Sequence, residues 1–233
     1  VTPDNRLMVL TGGSVYEDKV LQAMQTQVGF SVSPVDTQIQ LSPVRLDTRI
    51  QTGRDWLWRV TWNGNRAFGV VYQSGGGATR LVTSADGLKY TWLADLRLDG
   101  RPNEATIRFD KDGTMYVLHR REEGDRRGYW GWSSPPHLSW NWTSLEERLG
   151  GPDFALLSDA RVLAGTRIYR PEGARMGLLW GNTSGDFSNP LLLPSGGDCS
   201  YPGILVEEDR ILVVYYATRE GQTDIYMAIL TPQ

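Results

Sequence analysis

Four short turn signals recur between β-like runs at nearly constant spacing: Asn63-Gly64-Asn65, Asp110-Lys111-Asp112-Gly113, Ser158-Asp159-Ala160 and Glu207-Glu208-Asp209. Their centres fall near 64, 112, 159 and 208, so the steps are 48, 47 and 49. An earlier copy, Pro3-Asp4-Asn5, opens the chain. A period of roughly 40–50 residues with several short strands per unit is what radial sheet repetition produces. The spacing therefore predicts an all-β chain, a β-propeller of about five four-stranded blades forming a single domain. Its repeat units are 1–50, 51–99, 100–149, 150–196 and 197–233. Such folds build their sites at one end of a central channel, so function is sought at equivalent positions of successive units.

Strand propensity fills in the units. The first has Arg6–Leu10, Thr26–Ser33 and an outer Gln38–Leu41; the second Asp55–Trp62, Arg66–Tyr72, Arg80–Ser84 and Thr91–Leu96. The third has Glu104–Phe109, Thr114–His119, Gly128–Ser133 and Trp140–Ser144. The fourth has Phe154–Leu157, Arg161–Arg167, Met176–Trp180 and Leu191–Leu193, and the fifth Ile204–Val206, Ile211–Tyr216 and Thr223–Leu230. Only Val20–Gln27 and Ser144–Leu149 carry a weak helical signal, and no helical crossovers separate the strands, which disfavours a parallel α/β fold.

Composition excludes some functions. With 24 basic and 27 acidic residues the net charge is −3, which argues against a general nucleic-acid or membrane-surface partner. No run of about 18 apolar residues is present to span a bilayer. The single cysteine, Cys199, forbids an intrachain disulfide and leaves a secreted or periplasmic location open. His119 and His137 lack metal-ligand spacing and read as structural, and no cofactor motif is found. Nine Trp and ten Tyr suit strands, and most of them read as blade packing. The remainder suit a carbohydrate partner.

A second repeated element follows the third strand of the second unit: Ser84-Ala85-Asp86-Gly87, then Tyr90-Thr91-Trp92. Looser copies are Ser133-Ser134-Pro135-Pro136 with Trp140, and Thr183-Ser184-Gly185-Asp186. The best copy resembles the Asp-box of sialidase-type propellers, in which Ser and Asp bond turn backbone. The likeness extends to Asn103-Glu104-Ala105-Thr106-Ile107, Leu118-His119-Arg120-Arg121, Gly165-Thr166-Arg167 and Asp198-Cys199-Ser200-Tyr201-Pro202-Gly203. This order is similar to that of the sialidase superfamily, as found in bacterial sialidase-family proteins. The resemblance implies hydrolysis of a terminal acidic sugar, with Tyr201 as nucleophile and Glu104 taking its proton. It also implies Arg120 and Arg167, and Arg59 of the second unit, as substrate-binding residues, with Arg121, Arg170 and Arg175 as near competitors.

That chemistry has a physical reason. A sialoside bears a carboxylate on its anomeric carbon, which repels a carboxylate nucleophile, so a neutral tyrosine serves instead. A phenol of pKa about 10 needs a base beside it, and guanidinium forks clamp the substrate carboxylate. The chain departs from the family pattern by lacking an Arg-Ile-Pro motif, and only Glu17 and Asp18 stand near an acid/base loop position. The family has six blades. Units one to five would then match blades two to six, with the first blade absent; a true five-bladed protein is the alternative. Two other readings stay open. One is a non-catalytic glycan-binding propeller. The other is a five-bladed glycosidase with paired carboxylates, in which Asp55, Asp153 or Asp198 partners Glu104.

Overall fold

The computed structural model describes residues 1–32 and 38–231. Ser33, the expected end of a strand in the first unit, lies outside them. The described residues contain no helix and form five antiparallel-dominated sheets, the blades of a five-bladed β-propeller. The chain groups into two compact units, Val1–Asn103 and Glu104–Gln233.

The first unit holds two sheets. The first consists of β1 (Met8–Glu17), β2 (Val20–Phe30) and β3 (Ser42–Pro43), in that order. The second contains β4 (Arg45–Leu46), β5 (Asp55–Asn63), β6 (Arg66–Gln73), β7 (Thr79–Ser84) and β8 (Lys89–Leu96), ordered β4-β8-β7-β6-β5. The β5–β6 hairpin closes Asn63 onto Arg66 through Gly64, whose φ of +53° suits the first central position of a two-residue turn. The β1–β2 hairpin turns at Asp18 and Lys19, with φ of +48° and +64°, rather than at Pro3-Asp4-Asn5. Asp18 is therefore a turn residue, and Glu17 is the last residue of its strand. Val20–Gln27, which carried a helical signal, is strand, because β1 offers it a continuous partner. Gln38–Leu41 forms no strand; the outer pairing shifts to Ser42–Pro43.

The Ser84–Gly87 turn behaves as its residue types dictate. Asp86 Oδ1 accepts the backbone N–H groups of Leu88 and Lys89 at 2.8 Å, and Ser84 Oγ accepts that of Gly87 at 2.9 Å. Gly87 has φ +73°, and a Cβ there would meet the Phe30 ring at 2.9 Å.

The second unit holds three sheets. Their strands are β9 (Pro102–Phe109), β10 (Met115–Arg121), β11 (Arg127–Ser133) and β12 (Asn141–Arg148), then β13 (Asp153–Leu156), β14 (Arg161–Arg170), β15 (Gly173–Asn182) and β16 (Leu191–Leu192), and finally β17 (Cys199–Val206), β18 (Ile211–Arg219) and β19 (Gln222–Leu230). Ser144–Leu149, the other weakly helical segment, falls largely in β12. Each of the four recurrent turns joins the first and second strands of a blade. Asp110, for example, caps its turn by accepting from Asp112 N at 3.0 Å and Thr114 N at 2.8 Å.

The core of this unit gathers on Trp130, fully buried and edge-on to Phe154 at 4.9 Å and Phe187 at 5.5 Å. Its indole N–H donates to Thr183 O at 3.0 Å, which fixes the Thr183–Asp186 turn. The middle strands β10 and β14 are buried along nearly their whole length, and their continuous apolar runs reflect packing on both faces. β18 instead alternates, with Val213, Tyr215 and Ala217 buried and Val214 exposed.

His119, on β10, is fully buried, with Nδ1 3.1 Å from the Arg120 carbonyl oxygen. Burial lowers its pKa from 6.5 to about 4. The unfolded chain gains this proton below pH 6.5 and the folded one only near pH 4. Stability from the neutral ring is thus complete above pH 6.5 and is lost as pH falls to about 4. The span corresponds to about 3 kcal/mol. Urea unfolding of His119→Asn from pH 7 to 4 should show a correspondingly shallower pH dependence than the parent; equal slopes would contradict this assignment.

Candidate active site

The site in the second unit starts from a buried carboxylate. Glu104 enters on the first turn-proximal residues of β9, followed by the buried Ala105, Thr106 and Ile107, and is itself only 5% exposed. A buried charge is tolerated only when it is paired and hydrogen-bonded. Oε2 accepts from Arg120 Nη1 at 2.5 Å and from the backbone N–H of Gly151 at 3.0 Å. Oε1 accepts from the Tyr201 hydroxyl at 3.0 Å.

Tyr201 reaches Glu104 because β17 is irregular. The β17–β18 register shifts between Ser200 and Gly203, and Tyr201 has φ +50°, a rare conformation for a bulky residue. Bulges re-aim side chains, here one whose sequence neighbours Cys199, Ser200 and Pro202 are buried while Tyr201 stays 40% exposed. Ser200 donates to Gly150 O, and Gly150 N donates to Thr166 Oγ1 at 2.9 Å, which pins the Gly150–Gly151 segment. At Gly151, with φ +64°, a Cβ would lie 2.2 Å from the Tyr201 ring. Burial, then the negative charge of Glu104, raises the Tyr201 pKa above that of an ordinary phenol. The hydroxyl is thus a neutral donor.

Two arginines flank this pair. Arg120 bridges Glu104 and Glu122, and Glu122 Oε2 accepts from Arg148 Nη2 at 3.0 Å. Burial alone would lower the Arg120 pKa, but the two glutamates outweigh it and raise the value further. Arg148 lies 4.0 Å from the centre of the Tyr169 ring. Arg167 donates through Nε to Cys199 O at 2.6 Å, and through Nη2 to Asp198 at 2.7 Å and the Tyr216 hydroxyl at 3.0 Å. The Tyr201 and Tyr216 rings stand 5.9 Å apart. The two tyrosines are thus neighbours, with Glu104 bonded to one hydroxyl and Arg167, itself paired with Asp198, at the other.

The structure brings Glu104, Arg120 and Tyr201 into direct contact and sets Arg167 beside them. Arg121 turns away, donating to Arg127 O at 2.9 Å and pairing with Asp125. Arg170 is held by Glu147, and Arg175 by Ala174 O. Arg59 lies in the first unit, half-buried at an irregularity of β5 between Leu57 and Val60. Asp55, also in the first unit, caps the loop before β5, accepting from Thr52 N at 2.6 Å and Gly53 N at 3.1 Å. Asp153 is 2% exposed and pairs with Arg108 at 2.7 Å while accepting from Phe154 N. Asp198 is open to solvent. No group of residues suited to a metal ion occurs among the described residues.

Sequence reasoning passed over Glu122, Arg148, Tyr169 and the Gly150-Gly151 pair. The glycine pair before Pro152-Asp153 was the one available signal, since paired glycines mark places where another group approaches the backbone closely.

No family model matches the sequence, and no curated protein matches it. Solved structures do. A GH43 β-1,3-galactosidase with galactodeoxynojirimycin is similar at a TM-score of 0.64 and 10% identity, over 97% of this chain and 87% of that one. A β-1,2-mannobiose phosphorylase from Listeria innocua gives 0.61 and 18%, over 90% and 67%. A GH32 β-fructofuranosidase from Bombyx mori gives 0.58 and 13%, over 90% of this chain but only 52% of that longer protein. These likenesses establish the propeller fold and are not to sialidases.

Adding one methyl group at Gly151 tests how the site is held. Gly151→Ala should push the Tyr201 ring off the backbone and cost about 1–3 kcal/mol by overpacking and backbone strain. The Tyr201 ring NMR signals, assigned by their loss in Tyr201→Phe, and thermal melting would register both effects; an unchanged melting temperature and spectrum would show that the Tyr201 position does not depend on this glycine.

Proposed function

We propose that this chain is a glycoside-cleaving enzyme that acts on an uncharged sugar, with Glu104 and Asp198 as its working carboxylates. One observation carries the reading: a buried, hydrogen-bonded carboxylate bonds the first of two neighbouring tyrosines, and the arginine bonded to the second is paired with a solvent-open carboxylate. Sugars stack on aromatic rings, and glycoside cleavage calls for two carboxyl groups flanking the scissile bond. Glu104, held by Arg120, serves as the anionic group that stabilises the anomeric centre. Asp198, a carboxylate open to solvent, takes a proton from the attacking water, whose oxygen bonds the anomeric carbon as the glycosidic bond breaks and the leaving oxygen takes a proton from solvent. Tyr201 then orients Glu104.

Charge supports an uncharged substrate. Arg120, Arg148 and Arg167 are matched by Glu104, Glu122 and Asp198, so the cluster has no cation left over for a substrate carboxylate. The names of the structural neighbours, a galactosidase, a mannobiose phosphorylase and a fructofuranosidase, lie on the same side.

The Tyr201–Glu104 hydrogen bond favours a second reading as well. There Tyr201 attacks the anomeric carbon of an acidic sugar such as a sialoside, and Glu104 takes its proton. Arg120, Arg167 and Arg59 would meet the substrate carboxylate.

Hydrolysis of neutral aryl glycosides and of an aryl sialoside separates the two. The first reading expects turnover of a neutral glycoside. Glu104→Gln and Asp198→Asn should each lower kcat by about 10²-fold or more, with Tyr201→Phe within about tenfold of the parent. Turnover confined to the sialoside, with Tyr201→Phe as damaging as Glu104→Gln, would replace it by the second. Saturable sugar binding without any turnover would leave a binding propeller. Parallel assays with inorganic phosphate distinguish hydrolysis from phosphorolysis.

A further inference from the structure

The chain of charges behind Glu104 is longer than positioning one carboxylate requires. It runs Glu104–Arg120–Glu122–Arg148, alternating in sign, and ends against the face of Tyr169. Each link is short and the members are largely buried: the Arg120 side chain is 14% exposed, Glu122 16% and Arg148 29%. Their origins in the sequence are local and regular. Arg120 and Glu122 are two apart along β10 and its extension, a spacing that puts both side chains on one face of a strand. Arg148 is the last residue of β12, two strands away in the same sheet. Arg121, between them, points to the other face and has its own partner.

We infer that Glu122 and Arg148 are positioning residues that set, through Arg120, how strongly Glu104 is held as a carboxylate. The inference rests on the proposed role of Glu104 for its catalytic meaning, but the geometry stands independently of it. Arg120 divides its two Nη groups between Glu104 and Glu122, so the glutamates compete for one guanidinium. Arg148 decides that competition by neutralising Glu122. Removing either outer member should alter Glu104 without touching it, and the two removals should act in opposite directions. That opposition separates an electrostatic hold on Glu104 from simple loss of packing, which would move both variants the same way.

The signs follow from Coulomb's law. Glu122→Gln removes a nearby negative charge and releases Arg120 wholly to Glu104, so the Glu104 carboxylate gains. Arg148→Met removes one of the positive charges on Glu122, which then draws more strongly on Arg120 and leaves a more negative field at Glu104, so the carboxylate loses. Opposite and like charges at such range move carboxyl titrations by about one unit or more. Among the other groups facing Glu104 are the Tyr201 hydroxyl and the Gly151 amide. Both variants leave them in place.

The test uses the intact chain with glutamate side-chain carboxyls labelled with carbon-13, the Glu104 signal being assigned by its loss in Glu104→Gln. Relative to the parent, the Glu104 signal should titrate about one pH unit lower in Glu122→Gln and higher in Arg148→Met, and Arg148→Lys should restore much of the parent behaviour. Unchanged titrations in folded variants, or shifts of the same sign, would overturn the inferred hold. The acid limb of the pH–rate profile on a neutral aryl glycoside should move with the carboxyl signal. Opposite carboxyl shifts with no turnover at any pH would uphold the inferred hold and count against the catalytic reading of Glu104. If Arg148→Met fails to fold, Tyr169→Leu, which removes the ring that supports the Arg148 guanidinium, should shift the signal in the same upward direction, and an absence of shift there would likewise overturn the inferred hold.

Discussion

A carboxylate taken out of water at the start of β9 governs the second unit. Burying Glu104 without compensation would cost several kcal/mol even after relaxation. The surrounding structure supplies three donors of different kinds: a guanidinium, a backbone amide and a phenol. Each comes from a different blade or connection, so the carboxylate ties together segments 16, 47 and 97 residues away in sequence. Removing one donor would leave the others facing an under-paired charge, which is why these contacts stand or fall as a group.

The backbone irregularities nearby are consequences of that arrangement. Tyr201 at φ +50° and Gly151 at φ +64° are both unfavourable or residue-restricted conformations, and they sit face to face. A regular β17 would alternate its side chains and give Tyr201 no bulge to redirect it. A side chain at position 151 would occupy the space of its ring. Strain of this kind persists where surrounding contacts over-determine it, and it gathers at functional sites. Here the contacts that hold it are Ser200 on Gly150 O, Thr166 on the Gly150 amide and Glu104 on the Gly151 amide.

Much of the fold was legible because it depends on local turn chemistry. The turns near 64, 112 and 159 each need particular backbone signs or Asx caps, and those needs show in the residues chosen. The first blade was read less well. Pro3-Asp4-Asn5 looks like a blade turn, yet the hairpin lies at Asp18-Lys19, where neither residue is glycine and the left-handed signal is weak. Glu104, Arg120, Arg167 and Tyr201 stood out through the resemblance to the sialidase order. Glu122, Arg148 and Tyr169 were not. Their importance lies in charge pairing across strands, and from sequence they look like any solvated end of a strand. The same blindness favoured a sialidase resemblance: arginines at the right places suggest a carboxylate clamp until their internal partners are seen.

Those partners bear on what the site can recognise. An arginine already paired with protein carboxylates has its charge cancelled, which leaves little net attraction for a ligand carboxylate. A ligand carboxylate would have to displace Glu104 or Glu122 from Arg120, or Asp198 from Arg167. The first two displacements would strand a buried anion. The third would free an exposed one, so Arg167 is the only member of the cluster that could turn towards an anionic ligand at small cost. A neutral sugar meets none of these penalties. The proposed neutral sugar would need only ring surface and hydroxyl-competent groups, which Tyr201, Tyr216 and Asp198 carry. The charge pairing that makes Glu104 tolerable inside the protein thus also narrows what can bind beside it.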